Sequence, residues 1–296
     1  MLTTEKMKDK YPHFFEAAKD IDGLTIEGFF GDSAKELSLN REVLGQAKFY
    51  SACMEDWLKD TNQYGKAEVK KLIFIFLKLY AVSIQAGGQK AIDSITCFLI
   101  GNPENPETES LSSFTEFLRY HVEAKNFING IKGKINVSLS EKKRLCGALS
   151  VAYSKGVELI SKILNTCISL LEIANCIATN ESKTFNLPLW KKIKRFKELS
   201  NDQFYEIILS IDRDIRNADA HLNLWFSTEK GVFKYKVKDG KRLKMKEISA
   251  EKFILDKYPK IGWVAQGFVY SSILLILAHV DQESYHDKVQ KIIRIA

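Results

Sequence analysis

Arg216, Asn217 and His221 are the residues of this chain whose types and spacing best suit catalysis, and they lie in the run Arg-Asn-Ala-Asp-Ala-His that ends at His221. Cleaving RNA without a metal requires removing a proton from the 2′-hydroxyl, giving one to the leaving 5′-oxygen, and stabilising charge on phosphorus. An imidazole can take up or release a proton near neutral pH. A guanidinium binds phosphate oxygens at two points and keeps its charge. Arg216 and His221 therefore predict metal-independent cleavage of phosphodiesters.

Helical geometry limits how these side chains can cooperate. Asn217 and His221 are four residues apart, so they share one face of a helix, and the Asn217 amide can orient the imidazole. Arg216 lies about 140° from His221 around a regular helix. Two arrangements would bring them to one phosphate: the helix unwinds before His221, or two copies of the chain form a composite cleft. The second requires a homodimer, the commonest symmetric assembly.

The same residues also have a purely structural interpretation. His221 could be a helix-end histidine bonded to a carbonyl, and Arg216 could form an ion pair with Asp212, four residues earlier. Three other charged residues nearby are expected to form local salt bridges: Arg213, Asp214 and Asp219. Arg213 could also contact a phosphate.

The positive charge of the chain is concentrated around this run. Residues 186–246 contain fifteen lysines and arginines against eight aspartates and glutamates, an excess equal to the net charge of +7 of the whole chain. A local basic excess favours a polyanionic partner, nucleic acid first. A solvated basic surface without a partner is the alternative.

Apolar residues at helical spacing predict that most of the chain is helical. Helices are expected at about 41–59, 66–86, 89–100, 110–129, 190–199 and 250–256, and from residue 261 onwards. Ser138 and Glu141 form a capping box that opens a helix of about forty residues, with a kink at Gly156. Ser200 is expected to cap a further helix whose buried stripe leads into the Arg-Asn run: Phe204, Ile207, Ile208, Ile211 and Ile215.

Residues 232–246 switch to a period of two and predict a β-hairpin with Asp239-Gly240 as its turn. Strict alternation would place the apolar residues on one face: Phe233, Tyr235, Val237, Leu243 and Met245. The basic residues would form the other face, as a track for RNA: Lys234, Lys236, Lys238, Arg242, Lys244 and Lys246.

The fold class expected is all-α, a multi-helix bundle with one small β-hairpin inserted after the Arg-Asn helix. The polar, proline-containing stretch 101–110 suggests an N-terminal helical region, 1–109, and a C-terminal helical domain, 110–296, with the hairpin near 224–248. Scattered cysteines and the lack of a signal peptide favour a cytoplasmic protein. The apolar stretch Ile261 to Val280 has the length of a membrane span, but its polar residues favour a buried core helix over a tether.

The run from Arg216 to His221 resembles the Arg-(polar)-x3-His signature of the HEPN superfamily, which includes many bacterial toxins and antiphage proteins. The resemblance covers roughly residues 140–296, including the lysine-rich hairpin and the apolar helix after the motif. It implies a dimeric endoribonuclease acting in phage defence or as a toxin, with Arg216 and His221 as the catalytic pair and Asn217 as the polar residue. No metal or cofactor would be needed. RNA, as tRNA or mRNA, would be the substrate, and an antitoxin or sensor protein a further partner.

Weaker patterns point elsewhere. Inactive HEPN domains exist, so a non-catalytic helical module that binds nucleic acid, a nucleotide or a partner protein is the competing hypothesis. His279, Glu283 and His286 share a helical face that could hold a metal, although an exposed polar face is the preferred interpretation. Arg119, Tyr120 and His121 are expected to form a helix-surface cluster without a partner.

Overall fold

A computed structural model describes residues 4–39, 41, 45–240 and 242–295. Their secondary structure is mainly α-helix. The α-helices with bounds in these residues are α1 Thr4–Lys10, α2 Pro12–Ile26, α3 Asp32–Ser38, α4 Gln46–Asp60, α5 Gln63–Gly87, α6 Gln89–Ile100, α7 Leu111–Ile131, α8 Leu139–Ala174, α9 Glu181–Phe185, α10 Leu189–Ser200, α11 Arg213–Ala220, α12 Ala250–Lys252, α13 Tyr258–Val280 and α14 Gln282–Ile293. Single 3-10 turns occur at Pro106–Thr108 and Tyr205–Ile208.

The central element is α8, whose 36 residues make it about 54 Å long. It begins as predicted: the Ser138 hydroxyl accepts from the Glu141 amide, and the Glu141 carboxylate accepts from the Ser138 amide. Its apolar residues are buried on several sides, because α5, α6, α7, α10 and α13 all pack against it. A helix surrounded in this way forms the centre of the hydrophobic core.

Gly156 lies in the middle of α8 and marks a close approach between helices. The helix continues through it without interruption, so the predicted kink is not a break. A Cβ atom at this position would lie 2.1 Å from Ile261 Cγ2 and 3.0 Å from the ring of Phe117. Glycine is therefore required because α13 and α7 occupy the space that a side chain would need.

The predicted helices at 250–256 and from 261 onwards are joined, so their separation was wrong. A π-helical turn, Phe253–Lys257, links α12 to α13, and Pro259 occupies the first turn of α13, where its missing amide proton is tolerated. The combined helix, Ala250–Val280, is the one candidate membrane span by length and composition among the described residues, and 72% of its apolar window is buried inside the protein. This burial is what a core helix requires.

The hydrophobic core runs across the predicted division at residues 109 and 110. Buried residues of α2, α4, α5 and α6 belong to the same cluster as those of α8 and α13. The stretch 101–110 is a turn between α6 and α7 that includes one 3-10 turn, as its prolines suggest. The separate roles of 1–109 and 110–296 stay a prediction.

The segment between α10 and α11 differs from its prediction. Ser200 is the last residue of α10 and does not cap a new helix, because Asn201 and Asp202 both adopt positive φ angles, of 47° and 59°. A 3-10 turn and an extended residue follow before α11 starts. The predicted apolar residues are nevertheless buried or half-buried, so burial was correct while the helical continuity was wrong.

Three antiparallel strands follow α11: β1 Leu224–Ser227, β2 Val232–Asp239 and β3 Arg242–Ser249, in the order β1-β2-β3. The structure confirms the mostly helical fold with a small β insertion, and adds β1 to the predicted hairpin. Asp239 pairs with Arg242, so Asp239 belongs to β2 and the predicted turn at Asp239-Gly240 was wrong. Lys241 itself lies outside the described residues.

The pairing reverses the predicted faces of β3, because directly paired residues of antiparallel strands share a face and a two-residue loop pairs odd-numbered residues of one strand with even-numbered residues of the other. Leu243 pairs with Lys238, and Met245 with Lys236, so both apolar side chains lie on the lysine face. On the opposite, core-facing side, β2 contributes three buried residues: Phe233, Tyr235 and Val237. On the same side, β3 contributes three cations and one apolar residue: Arg242, Lys244, Lys246 and Ile248. The prediction of one apolar and one basic face was therefore wrong for the hairpin, since each face combines apolar residues of one strand with basic residues of the other.

The expected partnerless cluster at Arg119, Tyr120 and His121 was also wrong. Arg119 forms an ion pair with Asp20 at 2.8 Å. The His121 ring stacks on Tyr258, and its Nδ1 lies 2.7 Å from the Tyr258 hydroxyl. These contacts connect α7 to α2 and α13, and sequence spacing could not reveal partners so distant along the chain.

Candidate active site

The helix that carries the Arg-Asn run, α11, begins at a capped position. The Asp212 carboxylate accepts hydrogen bonds from the amides of Asp214 and Ile215, at 3.1 and 3.2 Å. The Asp212 amide donates to the Tyr153 hydroxyl at 2.7 Å, and that hydroxyl donates to the Ser210 carbonyl at 2.9 Å. Tyr153 of α8 thus sets where α11 starts. The Arg216–Asp212 ion pair of the structural alternative does not form, and Arg216 pairs with Glu158 instead.

The end of α11 falls at His221. His221 is the C-cap residue, and Leu222 follows with a φ of 54°. The amide of Leu222 donates to Asp219 and that of Asn223 to Ala218, which are the two bonds of a Schellman motif. The helix therefore stays regular through Ala220. Of the two arrangements expected for the site, unwinding before His221 is not present.

One face of α11 is fastened to α8. Ile215 and Ala218 are 1% and 2% exposed. The Asp219 carboxylate accepts from two hydroxyls of α8, Ser150 and, at 2.6 Å, Ser154. The predicted role of Asp219 in a salt bridge is therefore replaced by hydrogen bonds to two serines. This attachment leaves the opposite face of α11 available to solvent.

The Arg216 side chain binds a carboxylate that sequence reasoning did not identify. Its Nε donates to Glu158 Oε1 at 2.5 Å, and its Nη2 pairs with the same oxygen. Its Nη1 donates to Asn217 Oδ1 at 3.2 Å. The Arg216 and Glu158 side chains are 31% and 47% exposed, so solvent and ligands can reach the pair.

His221 is exposed, and its ring makes no hydrogen bond or ion pair with any residue that the structure describes. The predicted bond from Asn217 to His221 is absent, and the Asn217 amide oxygen accepts from Arg216 instead. The structural alternative, a ring bonded to a nearby carbonyl, is absent as well. The imidazole is thus free to meet a ligand or a second copy of the chain.

The sheet lies beside α11. The Lys236 amide donates to the carbonyl of Asn223, just after the motif, at 3.1 Å. The Lys246 ammonium binds the Asp214 carboxylate at 2.7 Å, and this bond raises the pKa of Lys246. Asp214 thus forms the salt bridge expected of it, with a residue of β3. The basic strands and the motif consequently form one continuous surface.

Only part of the predicted basic track is unpaired. Lys234 lies 3.7 Å from Glu247, and Lys244 pairs with Asp239. Lys236 has its ammonium 5.9 Å from the centre of the Trp225 ring. Among the described residues, no carboxylate pairs with the remaining exposed cations: Arg213, Lys236, Lys238 and Arg242. These four are the cations best able to meet phosphates.

The residues that sequence reasoning missed all belong to α8: Ser150, Ser154 and Glu158. They follow one another at intervals of four, so they form one polar stripe on a helix that is otherwise apolar on most sides. That stripe is a detectable signal of a polar neighbour. That the neighbour of this stripe is α11, about sixty residues further along the chain, depends on the tertiary fold.

The predicted metal face of His279, Glu283 and His286 was wrong as a single helical face, because α13 ends at Val280 and α14 begins at Gln282. The His279 ring donates to the Leu275 carbonyl at 2.8 Å. Within the described part of the chain, no three histidine, cysteine or acidic side chains lie close enough together to hold a metal ion.

Comparisons of the chain with protein-family models, curated proteins and solved structures gave no match.

Proposed function

We propose that the protein is an endoribonuclease that cleaves RNA without a metal, with Arg216 and His221 as its catalytic pair. The observation that carries the proposal is the placement of an unbonded, exposed imidazole on the same short helix as a solvent-accessible guanidinium, beside a sheet with unpaired cations. The buried face of α11 serves packing, and its exposed face presents the residue types that the reaction requires. The resemblance to the HEPN signature supports the same proposal.

In the proposed reaction, the 2′-oxygen attacks phosphorus while the bond to the 5′-oxygen breaks. The products are a 2′,3′-cyclic phosphate and a free 5′-hydroxyl. His221 takes the proton from the 2′-hydroxyl and gives it to the leaving 5′-oxygen. Arg216 stabilises the charge on the non-bridging oxygens, for which a phosphate must share or displace Glu158. The unpaired cations Arg213, Lys236, Lys238 and Arg242 hold the flanking phosphates.

The proposed site is complete in a homodimer. Arg216 and His221 lie five residues apart on a regular helix, which separates them by about 140° around its axis and about 7.5 Å along it. A two-fold contact between the exposed faces of two α11 helices would bring Arg216 of one protomer to His221 of the other. Such self-complementary contacts are the rule in symmetric dimers.

Cleavage of total RNA and tRNA in the presence of EDTA tests the activity. His221→Ala and Arg216→Ala are each expected to lower the cleavage rate by at least about a hundredfold. The matched control is His286→Ala, which removes an exposed histidine from α14 and is expected to leave the rate unchanged. Undiminished cleavage by the His221→Ala protein would refute the assignment.

Mixing the two inactive variants tests the composite site. A heterodimer of Arg216→Ala and His221→Ala protomers contains one site with both catalytic residues and one with neither. Random exchange should therefore restore about a quarter of the wild-type rate. If each protomer contained its own complete site, mixing would restore no activity.

The second candidate is a non-catalytic module that binds nucleic acid, a nucleotide or a partner protein. The observation in its favour is that Glu158 already binds Arg216, which is how a purely structural arginine behaves. In that case, Arg216→Ala and His221→Ala would alter neither RNA integrity nor cell growth. Charge reversal of the strand lysines, Lys236→Glu and Lys238→Glu, would still abolish binding.

A further inference from the structure

The outer strand of the sheet, β3, offers a free hydrogen-bonding edge. Its described backbone partners are all on β2, and no other described element covers its second edge. Apart from half-buried Ile248, its residues are exposed. An uncovered edge of eight residues is a template on which another strand can pair.

The two faces of β3 differ in a way that specifies the chemistry of an added strand. Arg242, Lys244 and Lys246 alternate on one face, while Leu243 and Met245 lie on the other, 70% and 50% exposed. Trp225, 40% exposed, shares the side of Leu243 and Met245. Lys244 and Lys246 do contact Asp239 and Asp214, but exposed ion pairs of this kind are weak and can be shared with a further carboxylate.

A second copy of β3 is a poor occupant of this edge. When two copies of β3 pair antiparallel around a two-fold axis, each residue stays on its own face of the sheet. In every such register, one residue at the axis therefore lies directly opposite the same residue of the other copy. Centring on Lys244 or Lys246 places that lysine opposite its own copy, and centring on Met245 places Lys244 opposite Lys246. Centring on Leu243 places Arg242 opposite Lys244. Like charges directly opposite each other are destabilising, so the edge disfavours self-association.

We propose that β3 is a docking edge for a strand of a partner protein in which acidic and apolar residues alternate. The acidic residues would lie opposite Arg242, Lys244 and Lys246, and the apolar residues opposite Leu243 and Met245. The main chain of the partner would supply the hydrogen bonds, and its alternating side chains the specificity. This inference does not depend on the proposed ribonuclease activity.

Binding of a short fluorescent peptide that alternates glutamate with valine, measured by anisotropy with the full chain, tests the proposal. The comparison peptide has the same composition with its glutamates grouped at one end. The alternating peptide should bind about tenfold or more tightly than the grouped one, because only alternation matches both faces of β3. Deuterium exchange of the β3 amides should slow when the alternating peptide is bound, since a paired edge protects them.

Charge reversal identifies the residues involved. Arg242→Glu/Lys244→Glu should weaken binding of the alternating peptide by at least about tenfold, whereas Lys90→Glu/Lys183→Glu, an equal charge change at exposed lysines elsewhere, should leave it unchanged. Equal binding of both peptides, or binding without slower exchange in β3, would overturn strand addition in favour of non-specific charge attraction. An RNA oligonucleotide that slows β3 exchange while the peptide fails to bind would assign this edge to nucleic acid instead.

Discussion

The Arg216–Glu158 pair is the least expected contact of the candidate site. Its two side chains come from α11 and α8, and both are partly exposed. Partly exposed ion pairs contribute little to stability, because water screens the charges. In the proposed enzyme, the same carboxylate competes with phosphate for the guanidinium. Glu158 therefore bears on ligand affinity more than on folding.

Replacing Glu158 by glutamine should strengthen RNA binding. Glu158→Gln keeps the size of the side chain and removes the charge that repels phosphate and occupies Arg216. The expected gain in affinity for a 2′-deoxy substrate analogue, which cannot be cleaved, is up to about fivefold. The measurement is a titration at fixed ionic strength.

Glu116→Gln is the matched control for this prediction. Glu116 pairs with Lys155 on the neighbouring face of α8 and is 41% exposed, so its replacement changes the net charge equally without reaching Arg216. An affinity that falls in Glu158→Gln but not in Glu116→Gln would mean that Glu158 holds Arg216 in its binding position.

At the scale of elements, two glycines of α8 differ in their surroundings. A Cβ atom at Gly156 would overlap Ile261, whereas at Gly147 nothing lies within 4 Å. Both glycines are helical, and both cost conformational entropy on folding. The close contact between α8 and α13 thus depends on Gly156, and Gly147 has no such role.

Substituting alanine at the two positions should have opposite effects. Gly156→Ala is expected to lower the free energy of unfolding by about 1–3 kcal/mol, because Ile261 and Phe117 must move. Gly147→Ala is expected to raise it by about 0.5–1 kcal/mol through helix propensity. Urea denaturation of both variants measures the difference. Stabilisation by both substitutions would contradict the tight contact between α8 and α13.

The β-hairpin shows how the length of a loop decides which side chains share a face. The alternating pattern correctly predicted strands over this segment. Asp-Gly was a good turn signal, but Asp239 pairs with Arg242 and so belongs to β2, while Gly240 has a φ of 61°. Two residues separate Asp239 from Arg242, so odd-numbered residues of β2 pair with even-numbered residues of β3. Leu243 and Met245 therefore share the face of the β2 lysines, and a two-residue loop at Asp239-Gly240 would have put them there as well.

At the scale of the whole molecule, His121 lies where four segments meet. Its ring contacts the rings of Phe29, Trp57, Phe117 and Tyr258. Burial, together with the nearby charge of Lys125, lowers the pKa of His121 to about 4. The folded protein therefore holds this imidazole neutral where an unfolded chain would begin to protonate it.

The stability of the protein should consequently fall as the pH is lowered from about 6.5 to about 4. Within this range the unfolded state binds a proton at His121 and the folded state does not, so stability rises with pH. The contribution lost on acidification is on the order of 3 kcal/mol. Denaturation at a series of pH values measures it.

Two variants isolate the contribution of His121 from that of the carboxylates. His121→Gln should flatten the pH dependence of stability between about 4 and 6.5, whatever its effect on stability at neutral pH. His286→Gln, which replaces an exposed histidine, should keep the wild-type slope. An unchanged slope in His121→Gln would show that His121 is protonated in the folded protein.

The sequence by itself determined the elements that depend on neighbours along the chain. The capping box at Ser138 and Glu141, the apolar stripe of α8, the core helix after Ile261 and the strand alternation all follow from local spacing. It also singled out Arg216 and His221 by residue type. Local periodicity predicts these features because propensities and amphipathic patterns act over a few residues.

Only the tertiary structure decided which residues meet across the chain. It brought Glu158 to Arg216, Ser150 and Ser154 to Asp219, and Tyr153 to the start of α11. It also ended α10 at Ser200, joined α12 to α13 and set the register of β3. The contacts between α8 and the α11 region lie beyond local spacing, because their free energy comes from packing and hydrogen bonds between segments about sixty residues apart.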